Sequence, residues 1–286
     1  MILFRQASTL NKYIEQQKKE GKSIGFIPTM GALHEGHESL VRAAKKSADL
    51  TVCSIFVNPT QFNDPTDFKN YPVTIGNDIL KLENNNCDIL FLPSVHEMYP
   101  EGISTKTHYD IDQIESILEG YYRPGHFQGV CQVVDRLLHI IQPHQVYMGQ
   151  KDYQQLLVIK KLVNLEQLPV EVVPCPTLRE VSGLALSSRN TRLTAEQKEN
   201  ASTIYKMLMY IKANITLESL ASLEKYAANN LLNNGFDKID YVSIVHSETL
   251  SPVDNWDRTT PIVVLVAVFI GGVRLIDNMI IPGESA

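Results

Sequence analysis

The sequence predicts an α/β protein with a parallel sheet in its N-terminal part and a smaller α+β domain in its C-terminal part. Short apolar runs alternate with helical segments as far as residue 176, which is typical of crossover units and a parallel sheet. Pro174 and Pro176 then interrupt the chain. We therefore predict two domains, at 1–176 and 177–286.

The elements of the predicted N-terminal domain follow from apolar periodicity and length. The segment 128–142 is the clearest helix, because its apolar residues recur along one helical face and Pro143 ends it. In such sheets ligands bind beyond the carboxyl ends of the strands. The predicted strands lie at 24–27, 51–57, 88–92, 145–148 and 170–173, and the predicted helices at 10–20, 38–48, 78–85, 128–142 and 153–165.

The predicted C-terminal domain begins with a polar segment, 179–190, that we read as a loop. Two helices are expected after it, at 194–214 and 217–234. Strands are expected at 240–245, 262–270 and 273–280, the last two forming a hairpin across Gly271-Gly272.

Composition excludes several classes of protein. The 286 residues carry a formal net charge of −6, which argues against broad binding to nucleic acids or anionic membranes. The four cysteines are widely separated and form no C-x-x-C pair, so neither a zinc site nor a disulfide scaffold is expected. The longest apolar run, 262–270, is too short to span a bilayer. With no signal-like N-terminus, we expect a cytoplasmic protein in a reducing compartment.

The segment 26–37, from Phe26 to His37, joins a predicted strand to a predicted helix. Such a turn presents unpaired backbone N–H groups to a phosphate, and Gly31 and Gly36 would let it approach. His34 and His37 would flank the bound group if the helix began near residue 33. The alternative is an ordinary strand–helix connection. Neither the Walker phosphate loop nor the dinucleotide fingerprint is present.

Another turn, 149–155, also follows a strand and opens a helix. Lys151 would bind phosphate oxygens. Asp152 would accept from ribose hydroxyls or help to hold a hydrated Mg²⁺, and Gln155 would share its helix face. The alternative is a helix N-cap at Asp152 with a solvated Lys151.

Three further segments combine special residues. In the segment 182–190, Arg189 and two serines would bind phosphate, and the segment would close over a triphosphate. The alternative is that the segment is a polar interdomain linker. The amides of Asn58 and Gln61 would bind a substrate with hydroxyl and carboxylate groups. The alternative is that these residues only form a turn, which an Asn-Pro pair readily begins. The turn 120–127 is either structural or a gate to a substrate site.

Six runs of the sequence, in the same order and spacing, resemble the pantothenate synthetase family of the nucleotidyltransferase superfamily. One departure is Val73, where that family typically has Arg. The runs are Pro-Thr-Met-Gly-Ala-Leu-His-Glu-Gly-His (28–37), Ser-Ile-Phe-Val-Asn-Pro-Thr-Gln-Phe (54–62), Glu-Gly-Tyr-Tyr-Arg-Pro-Gly-His-Phe (119–127), Gly-Gln-Lys-Asp-Tyr-Gln-Gln (149–155), Gly-Leu-Ala-Leu-Ser-Ser-Arg-Asn (183–190) and Arg-Leu-Ile-Asp-Asn (274–278).

The resemblance implies a Rossmann-like N-terminal domain, a smaller C-terminal lid domain and a homodimer. It implies an enzyme that condenses (R)-pantoate with β-alanine and ATP, giving pantothenate, AMP and pyrophosphate. These small molecules would be its partners, with no nucleic acid and no membrane. Mg²⁺ would accompany ATP without a direct protein ligand, and Asp152 would be the nearest candidate.

The resemblance also assigns roles to individual residues. His37 would be the catalytic acid, while His34, Lys151 and Arg189 are further cations and donors for the developing charge. Gln61 and Gln155 would hold pantoate, with Asn58 beside them, and Gln61 would also serve β-alanine. The implied ATP ligands are Met30, Gly31, Ala32, Leu33, His34, Glu35, Gly36, His37, Gly149, Gln150, Lys151, Asp152, Leu178, Leu186, Ser187, Ser188 and Arg189.

Two rival functions remain open at this point. An aminoacyl-tRNA synthetase-like enzyme would also transfer adenylyl groups, but the acidic balance disfavours a tRNA-binding surface. A nucleotide-sensing protein without turnover would use much the same binding residues. Exchange of pyrophosphate into ATP, with pantoate or with an amino acid, separates the three.

Overall fold

The computed structural model describes residues 1–62, 68–102 and 108–284. The chain divides into two compact units. The first unit contains Met1–Gln150 and Gln154–Pro176, and the second contains Lys151–Tyr153 and Thr177–Ala286. The short segment Lys151–Tyr153, which we call the Lys151 turn, therefore groups with the C-terminal residues. It nevertheless lies within the predicted N-terminal domain.

The first unit is built on a parallel sheet of six strands in the order β1-β4-β3-β2-β5-β6, so the predicted parallel sheet is confirmed. The sequence analysis missed β1, a three-residue strand at the edge of the sheet. The strands are β1 Ile2–Phe4, β2 Ile24–Thr29, β3 Leu50–Ile55, β4 Ile89–Phe91, β5 Gln145–Gly149 and β6 Glu171–Cys175.

Helices follow most of these strands, as crossover connections require. In chain order they are α1 Ala7–Lys19, α2 Glu35–Ser47, α3 Ile75–Asn84, the short α4 Val95–Met98 and α5 Glu119–Tyr122, α6 His126–Ile141 and α7 Tyr153–Leu165. The five helices predicted here are confirmed, with ends that shift by up to three residues.

The central strand β2 marks the switch point of the sheet. The chain moves from β2 outward through β3 to β4, and then returns to place β5 on the opposite side of β2. In open α/β sheets the ligand site lies at such a point, beyond the carboxyl ends of the strands. The segments that follow β2, β3 and β5 along the chain begin at this edge.

The second unit contains a three-stranded antiparallel sheet in the order β7-β8-β9. Gly271 and Gly272 connect β8 to β9 with φ angles of 56° and 71°, so the predicted hairpin is confirmed. The strands are β7 Lys238–His246, β8 Ile262–Ile270 and β9 Val273–Ile281, and the helices are α8 Ala195–Ala201, α9 Thr203–Asn214 and α10 Leu220–Asn233.

The predicted single helix over 194–214 is wrong, because the chain forms α8 and α9 with a break at Ser202. The Ser202 hydroxyl donates to the Glu199 carbonyl at 2.6 Å, and such side-chain bonds compete with the helical ladder. Across the described part of the chain, no helix is long and apolar enough to cross a membrane.

Candidate active site

The loop between β2 and α2 has a strained backbone. Gly31 has a φ of +84°, and a Cβ there would lie 3.0 Å from Ile55 Cγ2, so glycine is needed for both conformation and space. Ala32 also has a positive φ, 48°, which costs about 1–2 kcal/mol for a residue with a Cβ. Other contacts must therefore hold this loop in place.

Asp78 on α3 makes those contacts with the loop. Its carboxylate accepts from the backbone N–H groups of Ala32, at 3.0 Å, and Leu33, at 2.8 Å. The Thr74 hydroxyl donates to the same carboxylate at 3.1 Å. One turn further along α3, Lys81 donates to the Leu33 carbonyl. Asp78 is only 1% exposed, so its charge acts on the loop with little screening by water.

These bonds correct one expectation from the sequence, namely that the loop offers unpaired N–H groups to a phosphate. The N–H of Gly31 donates to Thr29 Oγ1 at 3.2 Å, and the next two N–H groups donate to Asp78. The sequence analysis missed Asp78 because it lies some 45 residues further along the chain. These three N–H groups are therefore already paired, and the imidazoles of His34 and His37 are the side chains of this loop best suited to bind a phosphate.

The two imidazoles cap α2 in a reciprocal arrangement. His34 Nδ1 accepts from the Gly36 N–H at 3.1 Å, and His37 Nδ1 accepts from the His34 N–H at 3.3 Å. His34 is therefore the N-cap residue rather than part of the helix. The ring centroids are 4.1 Å apart although the helix begins at Glu35 and not near residue 33. That the two imidazoles flank a bound group stays a prediction.

This capping fixes the tautomer of both rings. A backbone N–H can only donate, so each Nδ1 must be an acceptor, and a neutral ring then carries its proton on Nε2. The proton of each neutral ring is therefore on Nε2, and the orientation of each ring is held from the Nδ1 side.

We expect Asp78→Asn to weaken the loop selectively. The amide keeps one acceptor, but it turns an N–H₂ group toward a backbone donor, and an unsatisfied buried donor costs on the order of 1–3 kcal/mol. Thermal unfolding should show that loss, and the KM for ATP, the nucleotide that the sequence resemblance implies, should rise about tenfold or more. A variant with wild-type stability and KM for ATP would show that the loop does not depend on this carboxylate.

The turn after β3 carries Asn58, which is fully buried. Its Nδ2 donates to the Gly129 carbonyl at 3.0 Å, and its Oδ1 accepts from the Tyr99 hydroxyl at 2.9 Å and from the Thr60 N–H at 3.4 Å. The turn-chemistry interpretation of Asn58 therefore agrees with the structure. A direct contact between Asn58 and pantoate stays a prediction.

Gln61 closes the same turn, and its position is fixed from two sides. Its side-chain Nε2 lies 2.9 Å from the sulfur of Met30, the first residue of the β2–α2 loop. Its backbone carbonyl accepts from His126 Nδ1 at 2.8 Å, and Arg123 Nη1 lies 3.0 Å from the other ring nitrogen. A Cβ on Gly129 would lie only 2.4 Å from the Thr60 carbonyl oxygen. The turn before α6, left open by the sequence analysis, thus has a structural role.

The Lys151 turn follows β5, and its ammonium group forms no ion pair within the described ranges. Asp152 is exposed. Gln155 is half-buried, while its neighbour Gln154 is buried and donates to the carbonyls of the 114–117 segment. Of the two adjacent glutamines, Gln154 is therefore structural, and a role for Gln155 in binding pantoate stays a prediction.

Contacts within the second unit order the segment 182–190, for which a polar interdomain linker was the alternative. The Leu186 N–H donates to the Leu178 carbonyl at 3.0 Å, and Arg179 bridges to Ala185 in the antiparallel sense. The Ser187 hydroxyl then accepts from the Arg189 N–H at 3.2 Å and caps the 3₁₀ helix Ser188–Arg192. We call 178–186 the β-turn arm. It presents Ser187, Ser188 and Arg189 from an ordered backbone.

The structure thus brings the predicted residues together in two sets, one in each unit. In the first unit the loop after β2 lies against the turn after β3 through Met30 and Gln61. In the second unit the Lys151 turn and the β-turn arm share β9 as a support. No group of three or more His, Cys, Asp or Glu side chains suited to a metal ion occurs among residues 1–62, 68–102 and 108–284.

A parallel sheet whose switch point carries a His-x-Gly-His turn (residues 34–37) defines an α/β protein of the nucleotide-binding class. Comparison with known proteins narrows this class. The family model described as pantoate-beta-alanine ligase matches residues 2–280. The chain therefore belongs to the pantoate–β-alanine ligase family.

Individual relatives agree with this assignment along nearly the whole chain. The chain is 44% identical to the pantothenate synthetase of Cytophaga hutchinsonii over 283 residues, which cover 98% of this chain and 99% of the relative. The pantothenate synthetase of Thermus thermophilus has a similar crystal structure, with a TM-score of 0.89, 39% identity and coverage of 98% and 99% of the two chains.

A third relative was solved with ligands. The pantoate-beta-alanine ligase of Francisella tularensis, complexed with "Beta-gamma ATP" and β-alanine, superposes with a TM-score of 0.83 at 37% identity. The match covers 100% of this chain and 99% of the other.

Proposed function

We propose that this chain condenses (R)-pantoate with β-alanine, using ATP and passing through a pantoyl-adenylate intermediate. The products are pantothenate, AMP and pyrophosphate. The observation that carries the proposal within the structure is the contact between Gln61 and Met30. It places an amide suited to a hydroxy acid beside the loop that carries the two capped imidazoles.

The first step must activate a carboxylate, which lacks a leaving group. The pantoate carboxylate attacks the α-phosphate of ATP and displaces pyrophosphate, so that negative charge builds up on the phosphate oxygens and on the departing group. Positioned donors stabilise that charge more strongly than water does. The Nε2–H groups of His34 and His37 are such donors, with His37 as the acid, and Lys151 and Arg189 add positive charge.

The second step joins the two substrates. The β-alanine amine attacks the activated carbonyl and releases AMP, so no covalent bond to the enzyme is needed. Gln61 serves both acids, because an amide donates to a carboxylate and accepts from an amine or hydroxyl. Water would hydrolyse the adenylate, which gives the proposed C-terminal lid its purpose.

Within the first unit, the residues proposed to contact ATP are Met30 to His37, Gly149 and Gln150. Within the second unit, they are Lys151, Asp152, Leu178 and Leu186 to Arg189. Mg²⁺ is proposed to arrive as part of the nucleotide, since its preference is for phosphate and water oxygens plus one or two carboxylates. Asp152 is the carboxylate proposed to lie near it.

The remaining parts of the proposal concern assembly and location. We propose a homodimer and a cytoplasmic enzyme, in keeping with the family resemblance. Sedimentation of the purified chain would test the dimer. Formation of pantothenate, AMP and pyrophosphate in equal amounts from ATP, pantoate and β-alanine tests the reaction. Release of ADP and phosphate instead would overturn the adenylate route.

We expect Gln61→Ala to raise the KM for pantoate by about tenfold or more, while the KM for ATP changes by less than about threefold. The amide would be lost, but the backbone bond from His126 to residue 61 would remain, so the turn should keep its shape. Initial rates at varied pantoate and varied ATP measure the two constants. A larger effect on ATP than on pantoate would contradict the assignment.

A further inference from the structure

The run Arg274 to Asn278 is one of the six that match the family, and it has no part in the proposed chemistry. It lies on β9, where Asp277 is 3% exposed and Asn278 is 5% exposed. Successive side chains of a strand point to opposite faces. The two adjacent polar residues can therefore support two different segments of the second unit.

Asp277 holds the β-turn arm through Arg179. The guanidinium donates two bonds to the Asp277 carboxylate, at 2.5 and 2.9 Å. It also donates to the Gly183 carbonyl at 3.1 Å and lies 4.3 Å from the centre of the Tyr205 ring. A bidentate pair of this kind fixes orientation as well as distance. The Arg179–Asp277 pair thus binds the β-turn arm, which leads into Ser187–Arg189, to strand β9.

Asn278 holds the Lys151 turn. Its Nδ2 donates to the Lys151 backbone carbonyl at 2.8 Å. Two residues later, the Tyr153 hydroxyl donates to the Ser247 carbonyl at 2.8 Å. Both bonds lie within the second unit. The backbone that carries the Lys151 ammonium is therefore fixed from β9, while the side chain itself makes no ion pair with the described residues.

We propose that Asp277 and Asn278 are positioning residues for the nucleotide phosphates. One strand, β9, holds the backbone of the Lys151 turn and the β-turn arm that leads into Arg189, and so sets the distance between the two backbone segments from which these positive charges extend. Such charges stabilise a transition state only when they are held to within about 0.5 Å of the productive geometry. This inference rests on the proposed role of Lys151 and Arg189 in binding ATP.

The first test compares Asn278 with Asn214. The Asn214 side chain makes the same kind of bond, from Nδ2 to the Tyr210 carbonyl at 2.9 Å, on α9. Asn278→Ala should raise the KM for ATP and the Kd for a non-hydrolysable ATP analogue about tenfold, and Asn278→Asp should raise both further, because a carboxylate would face the carbonyl. The KM for pantoate should change less than twofold, and Asn214→Ala should leave all three constants unchanged.

The second test asks whether Asn278 acts through Lys151. In a Lys151→Ala background the ammonium is absent, so adding Asn278→Ala should change the Kd for the ATP analogue by less than twofold. A further tenfold loss in that background would overturn the proposal, as would equal effects of Asn278→Ala and Asn214→Ala on the KM for ATP.

The binding measurement keeps this inference separate from the proposed reaction. If the wild-type protein bound the ATP analogue but gave no pantothenate, the proposed function would fail. The Kd values of the variants for the analogue would still decide whether Asn278 positions Lys151. Arg179→Lys provides the corresponding variant for the arm. We expect it to raise the Kd for the analogue by several-fold, because a lysine cannot make the bidentate pair. An unchanged Kd would remove Asp277 from the proposal.

Discussion

His37→Asn should lose roughly 100- to 1,000-fold in the rate of pantoate-dependent pyrophosphate exchange, while the protein remains folded. This range is typical for removing one positioned donor from a developing oxyanion. The asparagine Oδ1 can accept the His34 N–H in place of the imidazole Nδ1, so the cap of α2 should persist. What the substitution removes is the Nε2–H group that the cap orients.

His37→Gln provides the complementary control. A glutamine amide reaches about as far as Nε2 and can donate there, so this variant should retain more activity than His37→Asn. Thermal unfolding and exchange rates of both variants measure the two effects separately. If His37→Asn were folded and exchanged pyrophosphate at nearly the wild-type rate, His37 would have no part in the chemistry.

Lys151→Ala should lose tens- to thousands-fold in the same exchange rate, since it removes a positive charge proposed to lie against the phosphates. The fold should be largely unaffected, because the bond to β9 uses the backbone carbonyl of residue 151 and not its side chain. Exchange rates at saturating pantoate and varied ATP provide the measurement.

Lys160 is the matched control for this substitution. It is an exposed lysine on α7, the same helix that the Lys151 turn opens. Lys160→Ala should therefore change the exchange rate by less than twofold. An equally small effect of Lys151→Ala would show that Lys151 is merely solvated, which is the alternative that the sequence left open.

Most of the fold could be predicted from the sequence because apolar periodicity reports burial directly. Strand β8, Ile262–Ile270, is confirmed to the residue, since an unbroken apolar run between Pro261 and Gly271 admits few other interpretations. The missed strand β1 and the wrong prediction of a single helix over 194–214 have local causes. β1 has only three residues, and the break at Ser202 depends on a side-chain bond that a helical pattern does not reveal.

The site could be predicted less completely, because its supports are distant in sequence. The spacing of His34 and His37 indicated that the two imidazoles lie close together, and their ring centroids are 4.1 Å apart. The carboxylate of Asp78 under the loop does not follow from spacing, and neither does the support of Lys151 by Asn278, 127 residues away. Only tertiary contact reveals these residues, although the run 274–278 had already been singled out as a family match.

The most direct test of the account is pyrophosphate exchange into ATP in the absence of β-alanine. If the imidazoles and Lys151 serve adenylation of pantoate, labelled pyrophosphate should enter ATP when pantoate is present and should not do so without it. Exchange supported by an amino acid instead of pantoate would identify a different adenylating enzyme. Nucleotide binding with no exchange under any of these conditions would contradict the proposed adenylation and leave a nucleotide sensor.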